Sequence, residues 1–227
     1  MSSNDAVKST EFEGESASTS GDVSRGILFV VSSPSGGGKG TLIHRVLNGV
    51  AGVGYSVSYT TRTPRNGEVD GVDYFFVSPE KFNELVAADE FLEWARVHGN
   101  LYGTSRAQVV REISERRDII LEVDVQGAAS VRKLLDDSVS IFIVPPSFEV
   151  LRQRLKMRGT DSPVELELRL RNAPLELRQY YAFDYVIVND ELAGAAAQLA
   201  SIIHAERARR KRQEQEVRRI TETFPAG

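Results

Sequence analysis

The feature that most constrains this chain is a glycine-rich loop between a short apolar run and a helical pattern. Residues 27–31 are apolar, and residues 42–47 have the pattern of a helix. Consecutive glycines let the backbone turn tightly so that several N–H groups point inward, and a following helix adds the positive end of its dipole. Lys39 adds a cation. The sequence therefore predicts a loop that binds the phosphates of a nucleoside triphosphate, formed by Ser33, Pro34, Ser35, Gly36, Gly37, Gly38, Lys39, Gly40 and Thr41.

Composition excludes several classes of protein. The chain has 227 residues, of which 41% are hydrophobic and 26% charged, and this predicts one α/β domain with insertions. A net charge of -4 gives no general attraction to nucleic acid or to anionic membranes, so neither is expected as a partner. The absence of cysteine excludes disulfides and thiolate chemistry. No stretch approaches the roughly 20 apolar residues that span a bilayer, and we expect a cytoplasmic protein.

Apolar runs and helical patterns alternate along the middle of the chain. The runs predict strands at 27–31, 119–125, 140–144 and 185–188, and helices at 128–135 and 148–157. Because the apolar runs are continuous rather than alternating, we expect strands that are covered on both faces. The β-α-β order predicts a parallel sheet with helices on both sides, and the loop at the carboxyl edge of its first strand.

The remaining segments divide the chain. Residues 1–24 are rich in Ser, Thr, Glu, Asp and Gly, which predicts a disordered tail. A helical pattern covers 191–219 and becomes strongly charged toward its end, which is typical of a solvated helix. Two insertions interrupt the alternation. The predicted division is a domain over 25–207, with a core of 25–54, 105–150 and 172–207, a mixed α/β lobe at 55–104, a short Arg-rich lid at 151–171, and a charged helix end and tail at 208–227.

Four motifs follow one another in the predicted domain. After the loop come Thr-Thr-Arg-Thr-Pro-Arg-Asn-Gly-Glu at 60–68, Glu-Phe-Leu-Glu-Trp at 90–94 with Gly-Asn-Leu-Tyr-Gly-Thr at 99–104, and Glu-Val-Asp-Val-Gln-Gly at 122–127. In this order and spacing the chain resembles the guanylate kinases, from about residue 25 to residue 207. The resemblance implies a P-loop kinase core with a GMP-binding lobe and a lid. It also implies Mg²⁺-dependent transfer of the γ-phosphoryl group of ATP to GMP, which gives ADP and GDP in purine nucleotide metabolism.

The resemblance assigns four side chains to the guanine base. Glu93 and Asp124 would accept hydrogen bonds from N1–H and N2–H, and the hydroxyls of Ser58 and Thr104 would face the side of O6 and N7. Adenine would place a lone pair at N1 against a carboxylate and leave buried polar groups unpaired. Sites of this kind can reject an analogue by on the order of 10⁴-fold. The expected acceptor is GMP, with dGMP as a second candidate, and not AMP.

The same resemblance assigns a clamp to the acceptor phosphate. Arg62 and Arg65 can hold the phosphate through bidentate contacts, and Tyr74 and Tyr102 can each add a phenolic hydrogen bond. An isolated pair of arginines with this spacing is more often a surface feature. The surrounding motifs favour the phosphate site, where Arg62 also aligns the reacting group.

Cations are needed where the phosphoryl group is transferred. The transition state is loose, and its negative charge is spread over the transferred oxygens. Arg152 and Lys156 are interpreted as part of a solvated helix face. The candidates for the catalytic cations are Lys39 and four arginines of the lid segment and its edge: Arg154, Arg158, Arg169 and Arg171.

Magnesium has no confident direct protein ligand in this sequence. Gly40 follows the loop lysine at a position where a Ser or Thr hydroxyl often contacts the metal. We expect Mg²⁺ to be bound chiefly by ATP oxygens and water, with Thr41, Glu122 or Asp124 acting through water.

The turn after the last predicted strand allows two interpretations. Asn189 and Asp190 can cap the following helix. The guanylate kinase resemblance places Asn189 near the ATP adenine.

Two other functions remain open at this stage. One is a catalytically inactive guanylate-kinase-like module that binds phosphopeptides, and the intact glycines and Lys39 argue against it. The other is a ribose bisphosphate phosphokinase, which would not need Glu93, Asp124 and Thr104. The sequence does not predict the oligomeric state.

Overall fold

A computed structural model describes residues 25–97, 99–159 and 162–225 of the chain. The tail predicted at residues 1–24 lies outside the described residues. The strands are β1 (Leu28–Ser32), β2 (Val53–Ser56), β3 (Tyr59–Thr60), β4 (Phe75–Phe76), β5 (Phe91–Val97), β6 (Asn100–Ser105), β7 (Asp118–Glu122), β8 (Val139–Val144) and β9 (Tyr185–Val188).

Helices connect most of these strands. They are α1 (Lys39–Leu47), α2 (Pro79–Ala87), α3 (Arg106–Ser114), α4 (Val125–Leu134), α5 (Phe148–Arg158), α6 (Pro163–Leu177), α7 (Leu192–Arg207) and α8 (Arg210–Thr221), and a 3-10 helix covers Arg178–Ala182. In the described part of the chain, no helix combines the length and the apolar character that crossing a bilayer requires.

The central sheet has five strands in the order β2-β7-β1-β8-β9, and every neighbouring pair is parallel. Side chains of a strand alternate between the two faces. In β1, Phe29 and Val31 pack with residues of α1 and α7, whereas Leu28 and Val30 pack with residues of α3 and α4. The predicted parallel sheet with helices on both faces is therefore confirmed. All five carboxyl ends meet at one edge, where the glycine-rich loop follows β1.

A second, smaller sheet has the order β4-β3-β6-β5. Its core consists of Phe82 from α2, Phe91 from β5 and Leu101 from β6, with Trp94 packed beside them. Strand β5 also contacts α3 and α4, which cover the central sheet. Two residues separate the carboxyl end of β2 from the start of β3, so the second sheet is attached at the carboxyl edge of the first.

Helices α5 and α6 pack on each other through a separate small core. Leu151, Leu155 and Ala173 are buried there, and Leu166 and Leu170 cover them. A capping box at Ser162 and Glu165 begins α6 by satisfying backbone donors.

Three predictions about strands and helices need correction. The strand predicted at 119–125 ends at Glu122, because Asp124 caps α4 by accepting a hydrogen bond from the Gly127 backbone N–H. The last strand is an edge strand, and Val186 and Val188 on it are about half exposed, so it is not covered on both faces. The single helix predicted over 191–219 is two helices, separated after α7 at residues 208–209.

Candidate active site

The glycine-rich loop is held in shape by its own backbone and by the end of β9. The Gly37 N–H and the Ser33 hydroxyl both donate to the Pro34 carbonyl, at 2.9 Å each. Gly38 has φ 84°, a left-handed conformation that suits glycine, and a Cβ there would lie 2.6 Å from Asn189 Nδ2. Asn189 Nδ2 donates to the Gly37 carbonyl at 3.0 Å. The loop can therefore present its remaining N–H groups at the start of α1.

The capping role predicted for Asn189 and Asp190 is wrong. The residue that caps α7 is Glu191, and its side chain makes no capping hydrogen bond. The side chain of Asn189 is instead used by the loop.

Two cavities meet at the loop and share Ser33, Gly36, Lys39 and Glu122 in their linings. The first has a volume of about 160 Å³ and the second about 490 Å³. The predicted residues that line only the first cavity are Ser35, Ser58, Arg62, Arg65, Tyr74, Glu93, Tyr102, Asp124 and Arg169. Those that line only the second are Gly37, Gly38, Gly40, Thr41, Arg154 and Asn189. Two adjoining cavities provide separate space for a phosphate donor and an acceptor.

The first cavity ends at a buried carboxylate. Glu93 on β5 lies opposite Thr104 on β6, and the Thr104 hydroxyl donates to Glu93 Oε1 at 2.5 Å. Burial raises the pKa of Glu93 to about 7; the hydrogen bond from Thr104 opposes that rise, and the charge of Asp124 adds to it. Ser58 is buried and lines the same cavity. The structure thus brings together Ser58, Glu93 and Asp124, whereas Thr104 is fully buried behind Glu93.

One glycine, Gly127 in α4, makes room for this carboxylate. A Cβ at Gly127 would lie 2.8 Å from Glu93 Oε2 and 3.1 Å from Val123 Cβ. Its N–H also donates to Asp124 Oδ1 at 2.8 Å. Gly127 belongs to the motif at 122–127, but no role was predicted for it; its place three residues after Asp124 was the available signal.

The predicted phosphate clamp contains a carboxylate that the sequence analysis missed. Arg62 donates through Nη1 and Nη2 to the two oxygens of Glu68, at 2.9 and 2.8 Å. Glu68 Oε2 also accepts from the Arg65 backbone N–H at 2.7 Å. The guanidinium of Arg62 lies 5.4 Å from the centre of the Tyr74 ring. Glu68 therefore fixes the loop that carries both arginines and orients one of them, and its position at the end of the 60–68 motif was the available signal.

Among the predicted arginines whose side chains the structure describes, Arg169 contacts the glycine-rich loop and Arg154 contacts Asn189 beside it. Arg154 Nη2 donates to the Asn189 carbonyl at 2.9 Å, and its Nη1 is buried without a partner among the described residues. Arg169 Nη1 donates to the Ser35 hydroxyl at 2.7 Å. Glu176, which sequence reasoning missed, accepts from the Ser35 backbone N–H at 2.9 Å. A cation and a carboxylate of α6 therefore both contact the loop.

The other cations of the lid segment are either exposed or have side chains outside the described part of the structure. Arg171 is exposed, and neither of the two cavities is lined by it. The backbone of Arg158 ends α5, but its side chain lies outside the described part of the structure. Arg152 and Lys156 are exposed on α5, which agrees with their interpretation as a solvated face.

Glu122 is the carboxylate nearest the loop lysine. Its Oε1 lies 3.5 Å from Lys39 Nζ, and Thr41 lines the second cavity nearby. Across residues 25–97, 99–159 and 162–225, no group of three or more His, Cys, Asp or Glu side chains is arranged to hold a metal ion. Mg²⁺ commonly uses one carboxylate together with waters and substrate phosphates, and this set of residues fits that kind of binding.

Comparison with known proteins identifies this architecture. The family described as "Guanylate kinase" matches residues 25–206. Guanylate kinase of Symbiobacterium thermophilum is 51% identical over 185 residues, which are 82% of this chain and 88% of that protein. Guanylate kinase of Thermotoga maritima is 46% identical over 196 residues, 86% of this chain and 95% of that protein. The crystal structure of guanylate kinase from Anaplasma phagocytophilum superposes with a TM-score of 0.75 at 34% identity, and covers 90% of this chain and 98% of that one.

The class follows from the fold and the loop together: this is a P-loop kinase with an acceptor lobe. The matched family model and the sequence identities then establish the family. The chain belongs to the guanylate kinase family.

Proposed function

We propose that the chain transfers the γ-phosphoryl group of ATP to GMP and forms ADP and GDP, with dGMP as a second acceptor. The observation that carries the proposal is the pair of carboxylates, Glu93 and Asp124, that line the cavity beside the phosphate loop. Guanine offers two donors, N1–H and N2–H, on its Watson–Crick edge. The two carboxylates match that edge, whereas adenine has an acceptor at N1 and no amino group at C2, so its one amino donor lies at the wrong corner.

The acceptor phosphate binds between the second sheet and the loop. Arg62 and Arg65 neutralise its charge, and the phenols of Tyr74 and Tyr102 add hydrogen bonds. Because Glu68 holds Arg62 through two hydrogen bonds, the clamp is preorganised before GMP arrives. A fixed phosphate is aligned for attack on the donor, which is a large part of catalysis in phosphoryl transfer.

The donor triphosphate binds in the second cavity. Backbone N–H groups from Gly36 to Gly40, other than that of Gly37, which donates to Pro34, and the ammonium of Lys39 hold its phosphates. Arg154 and Arg169 supply further positive charge where the transferred group passes. Arg158 and Arg171 stay candidates for the same role when the lid segment closes, and closure would exclude water as a competing acceptor.

Magnesium would be held by the donor's phosphates, with Glu122 and Thr41 contributing through water. Bound there, the ion would supply positive charge against the donor's phosphates. Asp124 is already engaged by the Gly127 N–H and belongs to the base pocket.

A coupled assay of ADP release tests the proposal against its alternatives. Purified enzyme is supplied with Mg²⁺ and ATP, and then with GMP, AMP or ribose phosphates in separate reactions. We expect rapid ADP release with GMP and at most about 10⁻³ of that rate with AMP. A rate with AMP within tenfold of the GMP rate would remove the assignment of Glu93 and Asp124. ADP release that occurs with ribose phosphates but not with GMP, or that is as fast with no acceptor as with GMP, would reject the proposed reaction. Absence of turnover with every acceptor would favour an inactive binding module.

A further inference from the structure

The hydroxyl of Tyr55, a partly buried residue, contacts the carboxylate beside the loop lysine. Tyr55 lies in β2, and its hydroxyl donates to Glu122 Oε2 at 3.2 Å. Strand register explains the contact. Tyr55 pairs with Ile120 of β7, and Glu122 is two residues further along on the same face. A diagonal neighbour at this spacing is within reach of a long aromatic side chain.

The other oxygen of this carboxylate faces the lysine. Glu122 Oε1 lies 3.5 Å from Lys39 Nζ. Strand β7 lies between β2 and β1, and the loop follows β1, so Tyr55 and Lys39 approach the carboxylate from opposite sides. Glu122 is mostly buried, with 16% of its side chain exposed. Each oxygen therefore has its own partner.

The phenol is fixed in place and remains a donor. Burial, and after it the negative charge of Glu122, raise the pKa of Tyr55 well above its usual range, so the hydroxyl stays protonated. The ring packs against the core beside α1, where the His44 ring centre lies 5.8 Å away. The Tyr55 carbonyl also accepts from Gln108 Nε2 at 3.4 Å. These contacts leave the hydroxyl little freedom to turn away from Glu122.

We propose that Tyr55 is a positioning residue for phosphoryl transfer, acting through Glu122 on Lys39. The inference rests on the proposed function, because Lys39 has to meet the donor's phosphates. With the hydroxyl present, one carboxylate oxygen is occupied and only the other is directed to the lysine. Without it, the carboxylate can rotate to offer both oxygens to Lys39, which draws the ammonium away from the phosphates. The two carboxylates that face the base keep their places, since Thr104 donates to Glu93 and the Gly127 N–H donates to Asp124.

The substitution Tyr55→Phe removes this one hydroxyl and keeps the ring. We expect kcat to fall about tenfold, the size of effect that loss of a hydrogen bond to a charged group produces, while KM for GMP stays within twofold. The matched control is Tyr185→Phe. The Tyr185 hydroxyl donates to Glu206 Oε1 at 2.5 Å, and neither residue lines the two cavities. The control should leave kcat and both KM values within twofold of wild type.

A double-mutant cycle separates positioning from packing. If Tyr55 acts through Glu122, then Tyr55→Phe changes kcat by less than twofold in a Glu122→Ala background. A tenfold loss that persists in that background, or that also appears in the Tyr185→Phe control, overturns the proposal. So does a kcat for Tyr55→Phe within twofold of wild type. Melting temperatures of all variants, measured by calorimetry, identify any loss that comes from unfolding.

A binding measurement keeps the inference independent of the acceptor. Titration calorimetry with ADP and Mg²⁺ should give about fivefold weaker binding for Tyr55→Phe and no change for Tyr185→Phe, because Lys39 holds the donor's phosphates. Equal ADP affinity in Tyr55→Phe and wild type counts against the role of Tyr55. Failure of the wild type to form GDP would reject the proposed reaction alone, and the ADP affinities would still decide the inference.

Discussion

The base pocket and the lid segment solve different problems with different kinds of structure. In the pocket, Glu93 is buried in a strand and accepts a hydrogen bond from Thr104. The absence of a side chain at Gly127 leaves room for its carboxylate. In the lid segment, Arg154 and Arg169 extend from two helices that share only a small core of their own. In the proposed function, selection of the base would depend on short, buried contacts whose geometry the backbone fixes. Neutralisation of charge would depend on long cationic side chains that extend to the loop and to Asn189 beside it.

This contrast implies that the two regions should fail in different ways. A change in the pocket leaves a buried polar group without its partner, so it should act on recognition of the acceptor. A change in the lid segment removes positive charge that matters most in the transition state, so it should act on kcat. Each of the following experiments tests that division.

The largest effect is expected for Arg169→Met. This variant removes the cation that contacts Ser35 in the loop, and kcat should fall about 10³-fold, at the low end of the range for a catalytic arginine, with KM for GMP within threefold. Steady-state kinetics with GMP varied at saturating ATP provide the measurement. Arg152→Met, on the exposed face of α5, is the control and should change kcat less than twofold. A rise in KM with little loss of kcat would show that the lid segment also serves recognition, and the division would fail.

Glu93→Gln should have the next largest effect. The amide replaces an acceptor oxygen by a donor that faces the donors of guanine, and kcat/KM for GMP should fall about 100-fold. The rate with AMP should stay low. Glu90→Gln, an exposed acid three residues earlier, is the control. Should kcat/KM for GMP change less than fivefold in Glu93→Gln, the buried carboxylate is not what reads the base.

Gly127→Ala tests whether the space behind the carboxylate matters. The added methyl would lie 2.8 Å from Glu93 Oε2 and would push the carboxylate toward the cavity. We expect KM for GMP to rise about 20-fold, equivalent to the ~2 kcal/mol that overpacking typically costs, and kcat to change little. Gly194→Ala, in α7 where a Cβ meets open space, is the matched control. Unchanged KM in Gly127→Ala would mean that the pocket adapts more readily than its burial implies.

The smallest effect concerns pH. Because burial raises the pKa of Glu93 to about 7, the carboxylate becomes protonated below that pH and loses an acceptor oxygen. From pH 8 to pH 6, kcat/KM for GMP should fall about tenfold through this group, since kcat/KM reports the free enzyme. The phosphate of GMP titrates in the same range, so the profile is compared with that of Glu93→Gln, which keeps the phosphate titration only. Identical profiles would exclude Glu93 as the titrating group.

Local rules were enough to predict the loop and the parallel sheet, whereas the support around the site depends on register and packing. Glycine spacing and the apolar runs identify the loop and four of the five strands of the central sheet. The end of β7 was misjudged because Val123 and Val125 continue the apolar pattern while Asp124 caps a helix. The contact of Tyr55 with Glu122 follows only from how β2 pairs with β7.

The lid segment illustrates the same limit. Arg169 and Arg171 look alike in the sequence, but helix packing directs the first to the loop and leaves the second exposed. Thr104 was expected at the base, and cross-strand pairing places its hydroxyl on Glu93 instead. Composition and motif spacing carry no information on these orientations.

The hydrogen bond from Asn189 Nδ2 to the Gly37 carbonyl joins positions 152 residues apart. During synthesis the glycine-rich loop is translated early, whereas Asn189 is added only after β9 has been translated. Partial products that end before Asn189 therefore lack this support of the loop, and closing so long a segment of chain carries an entropic cost. The consequence is an order of assembly: the glycine-rich loop is synthesised early, but this contact that supports its shape can form only after residue 189 has been made.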